Sequence, residues 1–179
     1  MKINLNRGNG KSSDPDQTSI EAGSTAPPFT LNDAAENRSH SLSEALASGP
    51  LLLGIYKSSC EASKTAFPLL EKLHQAYPAL RVWGVAQDSP NVTRSFTRRT
   101  GVSFPMLIDD NDYAVSRAYA IIATPSLFLI DRSGTIIWQR MGFQKASMSE
   151  LSNVIADLLG VPSVDILAGS EAVPAWVPG

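Results

Sequence analysis

A run of six uncharged residues, Leu51–Tyr56, is followed after a four-residue connection by a segment with helical periodicity. An uninterrupted apolar run of this length is typical of a strand that is covered on both faces. From Glu61 to Tyr77 the apolar residues recur at helical spacing, with Pro68 as an interior kink and Pro78 as the stop. A buried strand followed directly by an amphipathic helix restricts the chain to folds in which helices cover a sheet.

Strands and helices continue to alternate along the rest of the chain. We expect a short edge strand and a capped helix before the buried strand, and further strands, helices and a hairpin after it. These elements cover Phe29–Leu31 (strand), Ser41–Leu46 (helix), Leu80–Ala86 (strand), Asn91–Thr100 (helix), Phe104–Ile108 (strand), Asp112–Tyr119 (helix), Ser126–Ile130 and Thr135–Arg140 (hairpin), and Ser147–Leu159 (helix). Their order predicts an α/β domain with a mixed central sheet.

Length and composition favour one globular domain between two tails. The chain has 179 residues, of which 43% are hydrophobic and 18% charged, as is usual for a globular protein. Residues 1–24 are polar and predict a flexible leader, and residues 25–161 form the predicted domain. Residues 162–179 have no strand or helix period, so we expect a tail that frays, although Trp176 could dock it.

Charge and hydropathy argue against two classes of partner. The net charge is −2, and no basic block is longer than Arg98–Arg99, so the sequence does not favour nucleic-acid binding. No apolar stretch reaches the length of a signal peptide or a transmembrane helix. The sequence therefore predicts a cytoplasmic protein without a membrane partner.

The only cysteine of the chain, Cys60, lies between the buried strand and its helix. A thiol at this position can use the helix dipole and the free N–H groups of the first turn, which lower a thiol pKa. Because there is one cysteine, an internal disulfide is excluded and the fold cannot depend on oxidation. Cys60 is therefore the first candidate for chemistry.

The sequence offers little for a metal site. The two histidines, His40 and His74, are far apart along the chain, and no ligand spacing typical of metal sites is present. The acidic stretch Asp109–Asp112 lacks the calcium-loop pattern and is interpreted as a cap and turn. We expect no metal and no bound cofactor.

Three segments in order, Ala26–Leu31, Leu53–Leu73 and Ala123–Gly134, carry a family resemblance that covers about residues 24–160. With them the chain resembles the thioredoxin-like fold, specifically TlpA-type redoxins and the related AhpC/TSA peroxiredoxins. The resemblance implies a three-layer α/β/α domain with a central mixed sheet. It also implies a redox function in which a cysteine thiol acts on disulfides or peroxide.

The resemblance assigns roles to individual residues. Cys60 takes the position of the nucleophilic cysteine, and Ser63 takes that of the resolving cysteine, which gives C-x-x-S in place of C-x-x-C. Thr124 and Pro125 match the cis-proline loop, in which the residue before the proline pairs through its backbone with an extended substrate. The expected substrate-binding residues also include the two neighbours of the thiol, Ser59 and Glu61.

A single cysteine limits the chemistry that this site can perform. Ser63 can donate a hydrogen bond to a thiolate, or it can simply satisfy N–H groups of the first helical turn, but it cannot expel a mixed disulfide. We therefore expect an external thiol, such as glutathione or a thioredoxin, to complete turnover on protein or small-molecule disulfides. Lys57 and Lys64 favour the thiolate, whereas Glu61 opposes it.

Two other functions remain open at this point. A one-cysteine thiol peroxidase with an antioxidant role needs only Cys60, but Lys57 stands where that motif has threonine, and Arg140 is the candidate for supporting the thiolate. A binding module with an inert Cys60 is the other, because free cysteines are often buried. Ala66 replaces the family's helix carboxylate, and Ser59 replaces its aromatic residue, which weakens the case for an efficient dithiol-type reductase.

Overall fold

The computed structural model describes residues 20–179. In this range the strands are β1 (Thr30–Asn32), β2 (Ser39–Ser41), β3 (Leu51–Tyr56), β4 (Arg81–Ala86), β5 (Met106–Ile108), β6 (Ser126–Ile130), β7 (Ile136–Met141), β8 (Phe143–Gln144) and β9 (Trp176–Val177). The helices are α1 (Leu42–Ser48), α2 (Glu61–Ala76), α3 (Pro90–Thr100), α4 (Ala114–Ala118) and α5 (Lys145–Leu159).

Five strands form a mixed central sheet in the order β5-β4-β3-β6-β7. The apolar strand β3 lies in the middle, parallel to β4 and antiparallel to β6. A central strand is covered on both faces, which is why β3 has no polar alternation and all six of its residues are buried. Two small antiparallel pairs, β1-β2 and β8-β9, lie outside this sheet.

Helices cover both faces of the sheet, which confirms the predicted three-layer α/β/α fold. On one face, Leu52 and Tyr56 of β3 pack in a core with residues of α2, α3 and α5. On the other face, Leu51, Leu53 and Ile55 pack with residues of α1 and α4. The two sets alternate along β3 because successive strand side chains point to opposite faces.

Local signals placed most elements within a few residues. The predicted capping box is present, since the Ser41 side chain accepts from the Glu44 N–H and the Glu44 carboxylate accepts from the Ser41 N–H. Helix α2 continues through Pro68. Strand β2 was missed because Ser39–Ser41 is polar, and α4 is shorter than predicted because Tyr113 adopts a left-handed conformation at its start (φ 54°).

The predicted frayed tail is wrong, because residues 162–179 pack on the domain. The Tyr77 hydroxyl accepts from the Val164 N–H at 2.9 Å, and Ile166 is buried in the core beside α2 and α5. Farther on, β9 pairs with β8 in antiparallel register, with Val177 opposite Phe143. These partners are distant in sequence, so no local pattern indicated them.

Most of the predicted leader lies outside the described residues. Within residues 20–24, the Gly23 N–H donates to the Ile136 carbonyl at 2.7 Å, and Thr25 forms a bridge with Thr135. The packed domain therefore begins before residue 25. Among residues 20–179, no helix has the length and apolar character needed to cross a membrane.

Candidate active site

Cys60 is the N-cap residue of α2, at the end of the connection that follows the central strand β3. Its backbone is extended (φ −78°, ψ 124°), its N–H donates to Lys57 O at 3.1 Å, and its carbonyl accepts from the Lys64 N–H at 3.1 Å. No side chain caps the helix, so first-turn N–H groups remain available beside the sulfur. The thiol is half-buried and packs against the core that contains α2.

Thr124 lies directly beside this thiol although 64 positions separate the two residues. The Cys60 Sγ–H donates to the main-chain carbonyl of Thr124, with 3.0 Å between sulfur and oxygen. The register of the sheet explains the contact, since Ile55 near the end of β3 pairs with Ser126 at the start of β6. The Thr124–Pro125 peptide bond is cis.

The environment of Cys60 favours its thiolate. Partial burial acts to raise the pKa of the thiol, but polar groups of Thr124, Ser63 and Ala62 that lie near the sulfur favour the thiolate and outweigh it, so the pKa lies below its ordinary value. The Thr124 carbonyl acts in the opposite direction because it accepts from the neutral thiol. The net shift follows from the number of donors at the helix N-terminus.

Ser63 lies one helical turn after Cys60 and is completely buried. Its hydroxyl has no hydrogen-bond partner of ordinary geometry in the described part of the chain, so it does not cap the first turn. It still lies close enough to the thiol to contribute to the lowered pKa of Cys60. The hydroxyl is therefore free to donate to the sulfur when the sulfur carries charge.

The charged neighbours of Cys60 face solvent. The Glu61 carboxylate pairs with the Lys64 ammonium three residues later on α2; the Glu61 side chain is largely exposed and that of Lys64 is partly exposed. Ser59 and Lys57 are exposed as well. Because exposed pairs are screened by water, this pair contributes little to the thiol, and the hydrogen bonds decide its ionisation.

Asp88 supports the site, and sequence reasoning missed it. Its Oδ2 accepts from the Ser58 N–H at 2.6 Å and thereby holds the connection that carries Cys60. Asp88 follows β4, which is parallel to β3, so the residues after both strands lie at the same edge of the sheet. The strand order would have indicated this neighbour.

The cis-proline loop, residues 121–125, is held at both ends. At its start the Ile121 N–H donates to Ser116 O at 3.0 Å. At its end the buried Ser126 hydroxyl donates to Ala123 O at 2.7 Å, and Pro125 O accepts from the Gly142 N–H at 2.8 Å. Between these anchors the Ile122 side chain is 89% exposed, so the loop presents an apolar side chain to solvent two positions before Thr124.

The other candidate groups are engaged elsewhere. Arg140 donates to Glu150 at 3.3 Å and lies over the Trp138 ring, 6.0 Å from its centroid. His40 contacts the Asp33 carboxylate at 2.8 Å. His74 meets the ring of Phe104 edge-on, with 5.8 Å between the centroids. The structure thus brings together Cys60, Ser63 and the Thr124–Pro125 unit, with Ser59 and Glu61 at the exposed rim.

Comparisons with known proteins agree with this arrangement. The chain is 30% identical over 124 residues to the thiol-disulfide oxidoreductase ResA of Geobacillus thermodenitrificans, covering 68% of this chain and 70% of that protein. It is 31% identical over 133 residues to ResA of Bacillus subtilis, covering 73% of each. A crystal structure of a putative thiol:disulfide interchange protein DsbE from Chlorobium tepidum superposes with a TM-score of 0.72 at 27% identity, over 79% of this chain and all of that one. Residues 22–139 match the model of the AhpC/TSA family, and the chain therefore belongs to that family.

Proposed function

We propose that this protein is a monothiol thiol–disulfide oxidoreductase in which Cys60 is the nucleophile. One observation carries the proposal: a half-buried thiol of lowered pKa lies at the N-terminus of α2, 3.0 Å from the carbonyl of Thr124. An inert cysteine would gain nothing from free helix N–H groups, whereas a nucleophile needs them to be a thiolate near neutral pH. The relatives named as thiol-disulfide oxidoreductases support the same reaction class.

In the first step the Cys60 thiolate attacks one sulfur of a substrate disulfide. A bond forms between that sulfur and Cys60 Sγ, the substrate S–S bond breaks, and the second sulfur leaves as a thiolate with the bonding electron pair. First-turn N–H groups and the Ser63 hydroxyl stabilise the attacking thiolate. Substrate meets the exposed rim formed by Ser59 and Glu61 and the half-buried Thr124, with the buried Pro125 behind it.

Resolution requires a second thiol from outside the molecule. An external thiolate attacks the mixed disulfide, takes the substrate sulfur into a new disulfide, and returns Cys60 as a thiolate. Ser63 cannot perform this step because a hydroxyl does not exchange with disulfides. Glutathione or a thioredoxin supplies the thiol in this proposal, and the substrates are protein or small-molecule disulfides.

Intact mass spectrometry tests the proposal directly. After brief exposure to oxidised glutathione, the wild-type protein is expected to carry one glutathione, which reduced glutathione removes, and Cys60→Ser is expected to carry none. A double variant, Cys60→Ser with Ser59→Cys, keeps one exposed thiol outside the N-cap position. It is expected to react more slowly at neutral pH, because position rather than mere presence activates the thiol.

Two outcomes would favour other functions. Addition of one oxygen after hydrogen peroxide, without a glutathione adduct, would favour a thiol peroxidase. No adduct with either reagent would favour a binding module with an inert cysteine.

A further inference from the structure

We infer that the C-terminal strap, residues 175–179, determines the substrate class of the site by closing it to extended polypeptides while leaving it open to small disulfides. The inference rests on the proposed function, since it concerns the substrate of the same thiol. It follows from the position of Gly179 in the strap, which lies against the cis-proline loop.

The strap is anchored on the same edge as β8. The Lys145 N–H donates to the Ala175 carbonyl at 2.9 Å, and β9 then pairs with β8 so that Trp176 lies opposite Gln144 and Val177 opposite Phe143. The segment before it is held by the Lys145 ammonium, which donates to two carbonyls of residues 170–173 at 3.0 and 3.3 Å. These bonds fix the direction in which the last residues leave β9.

That direction takes Gly179 to the cis-proline loop. A methyl carbon built on Gly179 would lie 2.8 Å from the Thr124 carbonyl oxygen and 3.2 Å from Ala123 Cβ. It would also lie 3.1 Å from the Cα of Gly142, the residue whose N–H donates to Pro125 O. A side chain at position 179 would therefore displace the strap, and the Thr124 carbonyl that contacts the thiol is covered from this side.

An extended substrate would need the backbone edge of the cis-proline loop at Thr124, which the strap covers. A polypeptide that adds to the loop as a strand must place its backbone beside Thr124, because main-chain hydrogen bonds provide the affinity in this mode. Within residues 20–179, the Thr124 N–H donates to no main-chain carbonyl, so the strap does not hydrogen-bond to that group and acts through its position beside the Thr124 carbonyl. A small disulfide needs to reach only the sulfur of Cys60. With the strap in place, Cys60 is half-buried and not fully buried.

The loop and the strap each carry one exposed apolar side chain. Ile122 in the loop is 89% exposed and Trp176 in the strap is 60% exposed. A substrate that displaces the strap would keep Ile122 as an apolar contact, whereas Trp176 would move away with the strap. Displacement of residues 176–179 is thus the step that admits a polypeptide.

The test compares one disulfide with and without a peptide backbone. An aromatic disulfide is attached to free cysteine and, separately, to the central cysteine of an unstructured peptide. In both cases the Cys60 thiolate forms a disulfide with the cysteine sulfur and releases the coloured aromatic thiolate. The ratio of the two rates measures how accessible the site is to a peptide backbone. The intrinsic reactivity of the Cys60 thiol affects both rates equally and therefore cancels in the ratio.

One variant lacks residues 176–179 of the strap, one displaces the strap and one leaves it in place. A chain that ends at Ala175 lacks residues 176–179, and Gly179→Leu keeps them but collides with the Thr124 carbonyl. Ala175→Leu is the matched control, because this exposed position lies in the strap and the change adds three carbons there, against the four added by Gly179→Leu. Circular dichroism and melting temperature establish that each variant is folded.

The truncated chain and Gly179→Leu are expected to react with the peptide about tenfold faster, as one or two regained main-chain hydrogen bonds would give, and with free cysteine disulfide within about twofold of wild type. Ala175→Leu is expected to match wild type with both. An unchanged ratio, or an equal rise with both disulfides, would overturn the role of the strap alone. Failure of every variant to react with either disulfide would overturn the proposed function as well.

Discussion

At the scale of single residues, the site depends on a thiol and a hydroxyl that share one face of a helix. Cys60 and Ser63 are three positions apart, so their side chains lie one above the other at the start of α2. Ser63 is buried without a hydrogen-bond partner in the described chain, an arrangement that costs stability and therefore needs an explanation. A hydrogen bond from the Ser63 hydroxyl to the Cys60 thiolate provides that explanation.

The same spacing predicts what a second cysteine would do. In Ser63→Cys, two thiols three residues apart in a helical turn fall within the Cα separation that a disulfide requires. After oxidised glutathione has formed a mixed disulfide at Cys60, we expect the introduced thiolate to attack Cys60 Sγ, which forms the internal disulfide and releases glutathione without external thiol; the protein is then two hydrogens lighter than the dithiol. Intact mass and the decay of a glutathione adduct in thiol-free buffer measure both effects.

Thr65→Cys provides the matched control on the same helix. Its hydroxyl normally donates to the Glu61 carbonyl at 2.9 Å, so this position is on a different face from Cys60. The control is expected to keep its glutathione adduct until an external thiol is added. A persistent adduct in Ser63→Cys as well would show that position 63 does not reach the sulfur.

At the scale of elements, the position of the thiol depends on where β3 begins and ends. Pro50 starts the strand, and its carbonyl accepts from the Arg81 N–H at 2.9 Å, which aligns β3 with β4. Gly49 precedes it in extended backbone, so no special conformation requires a glycine there. A glycine is required at this position by lack of space, because a Cβ on Gly49 would lie 2.5 Å from the carbonyl oxygen of Ala79.

We therefore expect Gly49→Ala to destabilise the protein by about 1–3 kcal/mol, the usual cost of inserting a methyl group into a filled site. For a chain of this length the melting temperature should fall by roughly 2–10 °C. Ser48→Ala, at the exposed neighbouring position, is the control and should melt close to wild type. Equal melting temperatures for the two variants would contradict this prediction, because they would mean that the backbone at residues 49–50 shifts to accommodate the methyl group without loss of stability.

Elements with local signals could be predicted from sequence, and those without could not. The apolar run of β3 and the capping box of α1 are each complete within a few residues, and the prediction placed both correctly. Strand β9 contains only Trp176 and Val177, and it exists because β8 offers an edge more than thirty residues earlier. A pairing of this kind is set by tertiary packing rather than by propensity.

At the scale of the whole molecule, one buried hydroxyl helps to hold the start of the C-terminal segment on the domain. The Tyr77 hydroxyl accepts from the Val164 N–H and lies 2.8 Å from Ser152 Oγ. Ser152 in turn donates to the Val164 carbonyl at 2.7 Å. This closed network joins α2, α5 and the segment that leads to the strap.

Removal of that hydroxyl should loosen the segment. Tyr77→Phe leaves buried polar groups without a partner, so we expect a loss of about 1–3 kcal/mol in the free energy of unfolding. Amide hydrogen exchange in residues 162–179 should become faster, while exchange in β3 should change only through the global loss. Tyr113→Phe, at an exposed position, is the control. Unchanged amide exchange in both variants would show that the Tyr77 hydroxyl does not hold the C-terminal segment on the domain.

The candidate site could be predicted only in part, because several of its contacts join residues that are distant in the sequence. Cys60 stood out because it is the only thiol and precedes a helix. Its approach to Thr124 follows from the pairing of β3 with β6, and only the resemblance to redoxins connected the two segments in advance. Asp88 and Gly179 reach the site through strand order and a nonlocal docking, which the sequence pattern does not encode.

The pH dependence of Cys60 alkylation tests the activated thiol most directly. Because donors at the helix N-terminus and Ser63 lower the pKa, the thiolate persists at lower pH than in an ordinary cysteine. The rate of reaction with iodoacetamide should rise with pH to a midpoint below the ordinary value of about 8.5, and Ser63→Ala should move that midpoint upward. A wild-type midpoint at or above the ordinary value would contradict an activated Cys60.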